Sequence, residues 1–460
     1  METLDRESLR HLQSTRLSEL VARLKTIDSE YWAGKMSGIG EVDSLDDIGS
    51  LPFTEKQEFR DTYPYGMLTV PMSDVVRLHA SSGTSGKPTI VSYTRDDIAV
   101  FAQVNARSLS AVGATRDDVV HVAYGYGLFT GGLGLHYGVE ELGATAVPAS
   151  GGNPGFQVSV MADTGATGLA ATPSFALILA ERAEETGLKS KIRLRWGIHG
   201  AEPWSEGLRE KLEAAWEGEY DACDIYGLSE VIGPGVAIEC REHKGGMHVI
   251  EDHFFPEIVD PDTGEPTPDG ELGELVITTL TKQAQPVLRY RTRDITRFLE
   301  GACRCGRTSR RIERLQGRAD DMLVIRGINV YPKTIETILM ADPALGANYA
   351  IVVDRRSELV ELEARVEVKE ESLNDRADQI ARRLQDQLME TIRLRVGVTV
   401  GPPGSVPRTE AGKAQRVFEQ TGDEAHDDPV HDRVGRIQEC DHAHTGSGTE
   451  GRPLSHAGCD

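Results

Sequence analysis

The sequence predicts an α/β protein with a large N-terminal domain built on mostly parallel strands and a small C-terminal α/β domain. Three observations carry this. Between residues 51 and 290 short β-prone runs alternate with helical patterns, the alternation by which helices cover the faces of a largely parallel sheet. Glycine- and hydroxyl-rich loops follow several of the apolar runs, at the positions where open α/β sheets bind their ligands. Beyond Gly317 a second, shorter α/β pattern begins, and its roughly hundred residues suffice for a separate domain. The expected boundaries are 1–319, 320–418 and a tail over 419–460.

In chain order, residues 4–24 place Leu9, Leu12, Leu17, Leu20, Val21 and Leu24 at helical spacing, an amphipathic helix packed on the domain surface. Residues 77–94 set a loop rich in glycine and hydroxyls between two β-prone segments. Gly83 and Gly86 permit close backbone approach, while Ser81, Ser82, Thr84, Ser85 and the loop N–H groups offer donors to anionic oxygens and Lys87 adds charge. Two residues between the glycines and Pro88 after the lysine exclude a Walker loop. An ordinary hairpin loop is the other reading. A helix over 96–112 and a strand over 119–122 lead into 124–134, whose glycine content argues against a regular helix. There Tyr124, Tyr126 and Phe129 offer flat apolar surfaces and Gly131 leaves space beside the backbone, which suits an aromatic ligand or a packed core cluster. A helix over 175–184, a strand over 194–198 and strands over 254–258, 275–279 and 286–290 complete the large domain. The small domain is expected to run strand 322–325, helix 333–341, strands 349–353 and 359–368, and helix 373–392.

The chain has 460 residues and a formal net charge of −23, with a pI near 5.1. That balance argues against a general nucleic-acid or anionic-membrane surface and leaves room for a local basic cleft. No run resembles a membrane span, and Met1-Glu-Thr-Leu-Asp-Arg6 lacks the basic start and apolar core of a secretory signal, so the cytosol is the expected compartment. Six cysteines in so long a chain do not suggest a disulfide framework. Cys240, His248, Cys303 and Cys305 instead offer a Cys₃His set for a structural Zn²⁺ with no open position. His243 and His253 are substitutes for His248, and free buried thiols are the alternative. The tail carries 10 Asp and Glu against 3 Arg, a net of −7, a composition that predicts disorder.

The loop Ser81-Ser-Gly-Thr-Ser-Gly-Lys-Pro88 resembles the phosphate-binding loop of the adenylate-forming enzymes, the superfamily of acyl-CoA synthetases, aryl-acid ligases, peptide-synthetase adenylation domains and luciferases. Its companion motifs recur in order: Asp224-Ile-Tyr-Gly-Leu-Ser-Glu230, Tyr290-Arg-Thr-Arg-Asp294, Gly317-Arg-Ala-Asp-Asp321 and Pro407-Arg-Thr-Glu-Ala-Gly-Lys413. The segment 124–134, Gly200-Ala-Glu-Pro-Trp204 and Glu251-Asp-His-Phe254 resemble, more narrowly, the phenylacetate-CoA ligase group. Two departures stand out: Ser229 replaces the usual Thr, and Asp28-Ser-Glu-Tyr-Trp32 lacks the group's Asn-Val-Pro-Phe-Tyr-like run.

The resemblance implies ATP-dependent activation of an aryl carboxylic acid to an acyl-adenylate, then transfer to CoA. It implies Mg²⁺ at Glu230, catalytic roles for Lys413, Glu230 and Arg318, and nucleotide contacts from the loop Ser81 to Lys87. Gly200, Ala201, Glu202 and Pro203 join these, as do Asp224, Tyr226, Gly227, Ser229 and Asp294, the last receiving the ribose hydroxyls. It also implies a hinge at Asp320, about which the small domain turns between half-reactions. The implied partners are a small aryl acid and CoA, without nucleic acid or membrane; the oligomeric state, a homodimer included, is open. Other readings pass the acyl group to a hydroxyl, an amine or a carrier protein, or keep the fold as a nucleotide-binding regulator without turnover. At His199 the group commonly has an apolar aromatic residue. An imidazole there hydrogen-bonds a ring hydroxyl or amino group, which favours hydroxy- or aminobenzoates, hydroxyanthranilate-like acids among them, over phenylacetate. The alternative is a histidine bonded to a backbone carbonyl.

Overall fold

A computed structural model describes residues 1–81, 88–216, 218–318, 323–325, 328–356, 360–408 and 414–420. Its centre is a nine-stranded sheet. Five strands in the spatial order Asp221–Leu228, Trp196–Gly200, Gly168–Ala171, Val119–Val122 and Thr145–Pro148 run parallel. The remaining four, Gly233–Cys240, His243–Val249, Arg311–Glu313 and Phe298–Leu299, extend it antiparallel. Helices cover the parallel part because each parallel crossover needs one. Beside this sheet lie an antiparallel sheet of Phe254–Val259, Gly273–Thr279, Tyr290–Thr296 and Gly317–Arg318, and the hairpin Val75–Ser81 with Thr89–Thr94.

The hairpin leads into the helix Arg95–Ala111 through a capping box: Thr94 Oγ1 accepts from Asp97 N at 3.1 Å, and Asp97 Oδ2 accepts from Thr94 N at 2.9 Å. The fully buried Asp97 carboxylate also accepts from Gln283 N at 2.6 Å and Ala284 N at 2.9 Å. One carboxylate thus fixes both a helix start and a distant loop, and it satisfies N–H groups that would be costly to bury unpaired.

Two expectations are corrected here. The glycine-rich run 124–134 is non-helical only as far as Phe129; from Thr130 it enters a regular helix, Thr130–Leu142, which contains Gly131, Gly132 and Gly134 and continues through Gly138. It lies so close to the helix Arg95–Ala111 that a Cβ on Gly138 would come 2.5 Å from Asn105 Cβ and 2.9 Å from the Asn105 carbonyl carbon. Close packing outweighs the roughly 1 kcal/mol per glycine lost in propensity. The strand expected over 286–290 begins only at Tyr290, because Arg289 sits at φ 43°, outside strand geometry. There its guanidinium holds Glu257 (2.9 and 3.1 Å) and the Leu51 carbonyl (3.2 Å).

The N-terminal helix runs Arg6–Thr26 and buries Leu9, Leu17, Leu20, Val21 and Leu24. In the small domain a four-stranded sheet, ordered Gly397–Gly401, Glu361–Val368, Leu345–Asp354 and Val417–Gln420, packs against the helices Pro332–Met340 and Ala377–Ile392. The second helix starts four residues later than the spacing suggested, after a 3-10 turn over Glu371–Arg376. Its buried Ile380, Leu384, Leu388 and Ile392 form an apolar stripe on the face turned to the sheet. The last strand reaches Gln420, two residues past the expected end of the small domain.

Candidate active site

At the carboxyl ends of the parallel strands, where such sheets bind ligands, lies a cavity of about 730 Å³. Strand 119–122 delivers Ala123 and Tyr124 to it, strand 168–171 delivers Thr172 and Phe175, and strand 196–200 delivers Ala201. Leu128 and Phe129 close one wall, and Ser81 and Pro88 bound it beside the hairpin. The Tyr124 hydroxyl donates to the Ala171 carbonyl at 2.8 Å, which leaves its ring as wall. Gly131 acts through a neighbour, since a Cβ there would run into the Phe129 ring. Tyr126 turns elsewhere, its hydroxyl 3.3 Å from His136 Nδ1. Ala201 holds φ 72°, a costly conformation for a residue with a side chain.

From the cavity wall, Ser81 Oγ donates to Glu230 Oε1 at 3.1 Å. The buried Glu230 carboxylate also pairs with Lys56 Nζ at 3.2 Å. Beneath it the buried Lys282 ammonium donates to the Val231 carbonyl at 2.9 Å and lies over the Tyr93 ring, 4.6 Å from its centroid. Burial pushes the Lys282 pKa down to about 8. A second group forms across the sheets: Tyr226 OH donates to Asp294 Oδ2 at 2.6 Å, and Arg318 Nη1 lies 3.7 Å from Asp294 Oδ1. Ser229 Oγ meets Thr130 Oγ1 at 3.2 Å, so the hydroxyl kept at that position is used. Gly227 runs close under the neighbouring strand, where a Cβ would lie 2.7 Å from the Gly233 carbonyl carbon.

Glu202 accepts from Ser174 N at 2.7 Å and from Ala414 N of the small domain at 3.0 Å. Gly200 ends its strand beside Ile225, and Pro203 is exposed. Asp224 sits in a buried charge cluster 3.3 Å from Arg314 Nε, and burial with the neighbouring Glu239 carboxylate pushes its carboxyl up to about 7. Ser82, Gly83, Thr84, Ser85, Gly86, Lys87, Asp320 and Lys413 lie outside the described residues.

Comparison with known proteins agrees with this geometry. The AMP-binding enzyme family matches residues 17–281, and the AMP-binding enzyme C-terminal domain matches 327–421. A phenylacetate-coenzyme A ligase of Thermus thermophilus is 47% identical over 91% of this chain and 98% of its own length. One from Escherichia coli is 48% identical over 82% and 86%. The chain belongs to the phenylacetate-CoA ligase family of AMP-binding enzymes. It is an AMP-forming acid–thiol ligase. Among solved structures, 2-hydroxyisobutyryl-CoA ligase in its postadenylation state, in complex with R3-HIB-AMP, superimposes with a TM-score of 0.84 at 26% identity, covering 95% of this chain and 93% of that one.

In this family member Cys240, His248, Cys303 and Cys305 come together, with all four ligand atoms within 4.8 Å of one another. Cys240 Sγ lies 3.5 Å from Cys303 Sγ, and Cys305 Sγ lies 3.4 Å from His248 Nε2. Tetrahedral Zn²⁺ with bonds of about 2.0–2.3 Å sets neighbouring ligands roughly 3.5–3.8 Å apart, so the set fits. The other two histidines are engaged elsewhere: His243 Nδ1 receives Arg311 Nη1 at 3.1 Å, and His253 Nδ1 lies 2.7 Å from Thr281 Oγ1.

The substrate role expected of His199 is corrected. The residue is fully buried and absent from the cavity lining. Its Nδ1 bonds the Ala171 carbonyl at 2.9 Å and its Nε2 the Tyr220 hydroxyl at 2.8 Å, so neither nitrogen is left for a ligand. The premise for preferring hydroxy- or aminobenzoates goes with it. Phe175 and Thr172, which the sequence reading passed over, do line the cavity; the signal was Thr172-Pro173 capping a helix directly after a buried strand. Lys56 had no signal in the chain.

His199→Phe is therefore expected to leave the ranking of acids within about twofold while lowering stability by about 1–3 kcal/mol, the cost of an orphaned carbonyl and hydroxyl. Burial holds the His199 pKa down at about 4, against 6.5 when unfolded. The neutral ring's contribution is complete above pH 6.5 and is lost as pH falls towards 4. The stability gap between wild type and variant should narrow over that window, as read by denaturant melts at several pH values. A changed acid ranking at constant stability would return His199 to the substrate.

Proposed function

We propose that the chain activates an aryl carboxylic acid, phenylacetate foremost, with ATP and transfers the acyl group to CoA. The observation that carries this is the cavity: among the described residues its lining holds Tyr124, Phe129 and Phe175 and no charged side chain, yet Ser81 on its wall bonds Glu230 directly. An apolar ring and an anionic reaction centre are thereby accommodated side by side. The volume lies within the usual range of about 300–1,000 Å³ for small-molecule sites.

In the first half-reaction a carboxylate oxygen of the acid bonds to the α-phosphorus of ATP, the bond to the bridging oxygen breaks, and pyrophosphate leaves. In the second, the CoA sulfur bonds to the acyl carbon, its proton passes to solvent, and AMP leaves. The residues contribute mainly position and charge. Glu230 is the residue to hold Mg²⁺, a hard cation suited to a carboxylate and several waters, which would neutralise phosphate charge; the carboxylate already pairs with a cation, Lys56. Asp294, held by Tyr226, offers acceptors to the ribose hydroxyls, and Arg318 brings positive charge to the same point. Lys413 is assigned to the α-phosphate and Asp320 to the hinge between the domains.

The test is acid-dependent pyrophosphate release with a panel of aryl acids, with the product identified by mass with and without CoA. Phenylacetate should lead and phenylacetyl-CoA should appear with AMP. Lys413→Ala should lower pyrophosphate release at least 100-fold and leave thioester formation from supplied phenylacetyl-adenylate within about threefold. Equal loss of both steps would give Lys413 another task, and an ester or amide product would move the acceptor away from CoA.

The Cys₃His set is assigned a structural Zn²⁺. Purified protein should contain about one Zn²⁺ per chain, and Cys303→Ser should lower both zinc content and melting temperature. Metal-free protein that melts at the same temperature as the variant would leave the four residues as packed side chains.

A further inference from the structure

The small domain rests on a short rim of the large one, from Trp204 to Lys211, in a set of contacts that the chemistry above does not use. Ser205 caps the helix Glu206–Ala215, and its own N–H donates to Glu336 Oε1 at 2.7 Å. The other oxygen of Glu336 accepts from Tyr349 OH at 3.0 Å within the small domain, so a buried carboxylate held in place by its own domain gives its first oxygen to the junction. Lys211 Nζ donates to the carbonyls of Leu345 at 2.6 Å and Asp342 at 3.3 Å, and Lys333 Nζ donates to the Trp204 carbonyl. Gly207 lies against the end of the helix Pro332–Met340: a Cβ there would be 2.6 Å from the Met340 oxygen and 2.7 Å from its carbonyl carbon. That contact is with backbone, which cannot turn aside as a side chain can. None of these rim residues lines the cavity.

The docked arrangement matches one state of a relative better than another. The chain superimposes on 2-hydroxyisobutyryl-CoA ligase with a TM-score of 0.84 in the postadenylation state and 0.67 in the thioesterification state, at the same 26% identity and the same 95% coverage of this chain.

We propose that the rim Trp204 to Lys211 is a docking site used by the small domain for adenylate formation alone, with Gly207, Lys211 and Glu336 as positioning residues. The proposal rests on the acid-activating reading above. A small domain turned away for thioester formation leaves the rim to solvent, where the Ser205 N–H and the Lys211 ammonium are satisfied by water. Filling or uncoupling the rim then disfavours one orientation and spares the other.

The test measures both half-reactions on the same preparations of Gly207→Val and Lys211→Met. Phenylacetate-dependent pyrophosphate release should fall about tenfold in Lys211→Met, the loss expected for one charged hydrogen-bonding group, and further in Gly207→Val. KM for phenylacetate and ATP should stay within about threefold. Thioester formation from supplied phenylacetyl-adenylate and CoA should stay within about twofold, which also certifies folding. Gly207→Ala should fall between wild type and valine. Active wild type with variants that lose both half-reactions equally, or neither, would overturn the docking role alone. Wild type without acid-dependent pyrophosphate release would overturn the activity reading and this proposal together.

Discussion

The Leu128 carbonyl accepts two hydrogen bonds, from Ala80 N at 2.9 Å and from His79 Nδ1 at 3.0 Å. Through it the loop that walls the cavity is tied to the strand that ends at Ser81. Burial holds His79 below the usual histidine range, so the ring stays neutral and its Nδ1 proton belongs to that carbonyl. Ser81 then carries the connection to Glu230. An apolar cavity and a buried carboxylate are hard to place side by side, since the first excludes water and the second needs partners. A short chain of hydrogen bonds through Leu128, Ala80 and Ser81 resolves the conflict.

The small domain is held differently from the cavity. An apolar cluster spans the junction, including Trp204, Leu208, Leu339 and Met340, but orientation is set by backbone groups. Ser205 N, Trp204 O, Leu345 O and Ala414 N are each paired with a charged side chain from across the junction. Such bonds to charged groups are individually worth a few kcal/mol at most and are replaceable by water. A junction built this way can form and release, which a mechanism of two successive half-reactions requires.

Much of this was legible in the sequence because it follows from local pattern. The alternation of strands and helices foretold the parallel sheet, and the helical pattern over 373–392 foretold the last helix, Ala377–Ile392. Tyr226 and Asp294 belong to separate motifs and meet at 2.6 Å, and Cys240, His248, Cys303 and Cys305 converge from distant strands and loops. What could not be read depends on neighbours. His199 lies on a strand buried throughout, so no polar alternation marks which side faces the cavity. Gly134 and Gly138 look like helix breakers until Phe101 and Asn105 are set against them. Lys56 and Gly207 gain meaning only from Glu230 and Met340, residues far away in the chain.

The central claim is that the cavity between Tyr124, Phe129 and Phe175 holds the ring of the acid while Asp294 holds the ribose. A crystal structure with a non-hydrolysable phenylacetyl-adenylate analogue tests it most directly. The account predicts the phenyl ring inside that cavity, the acyl-phosphate linkage beside Ser81 and the ribose hydroxyls on Asp294. A ring lying outside the cavity, or a ribose bound away from Asp294, would contradict it.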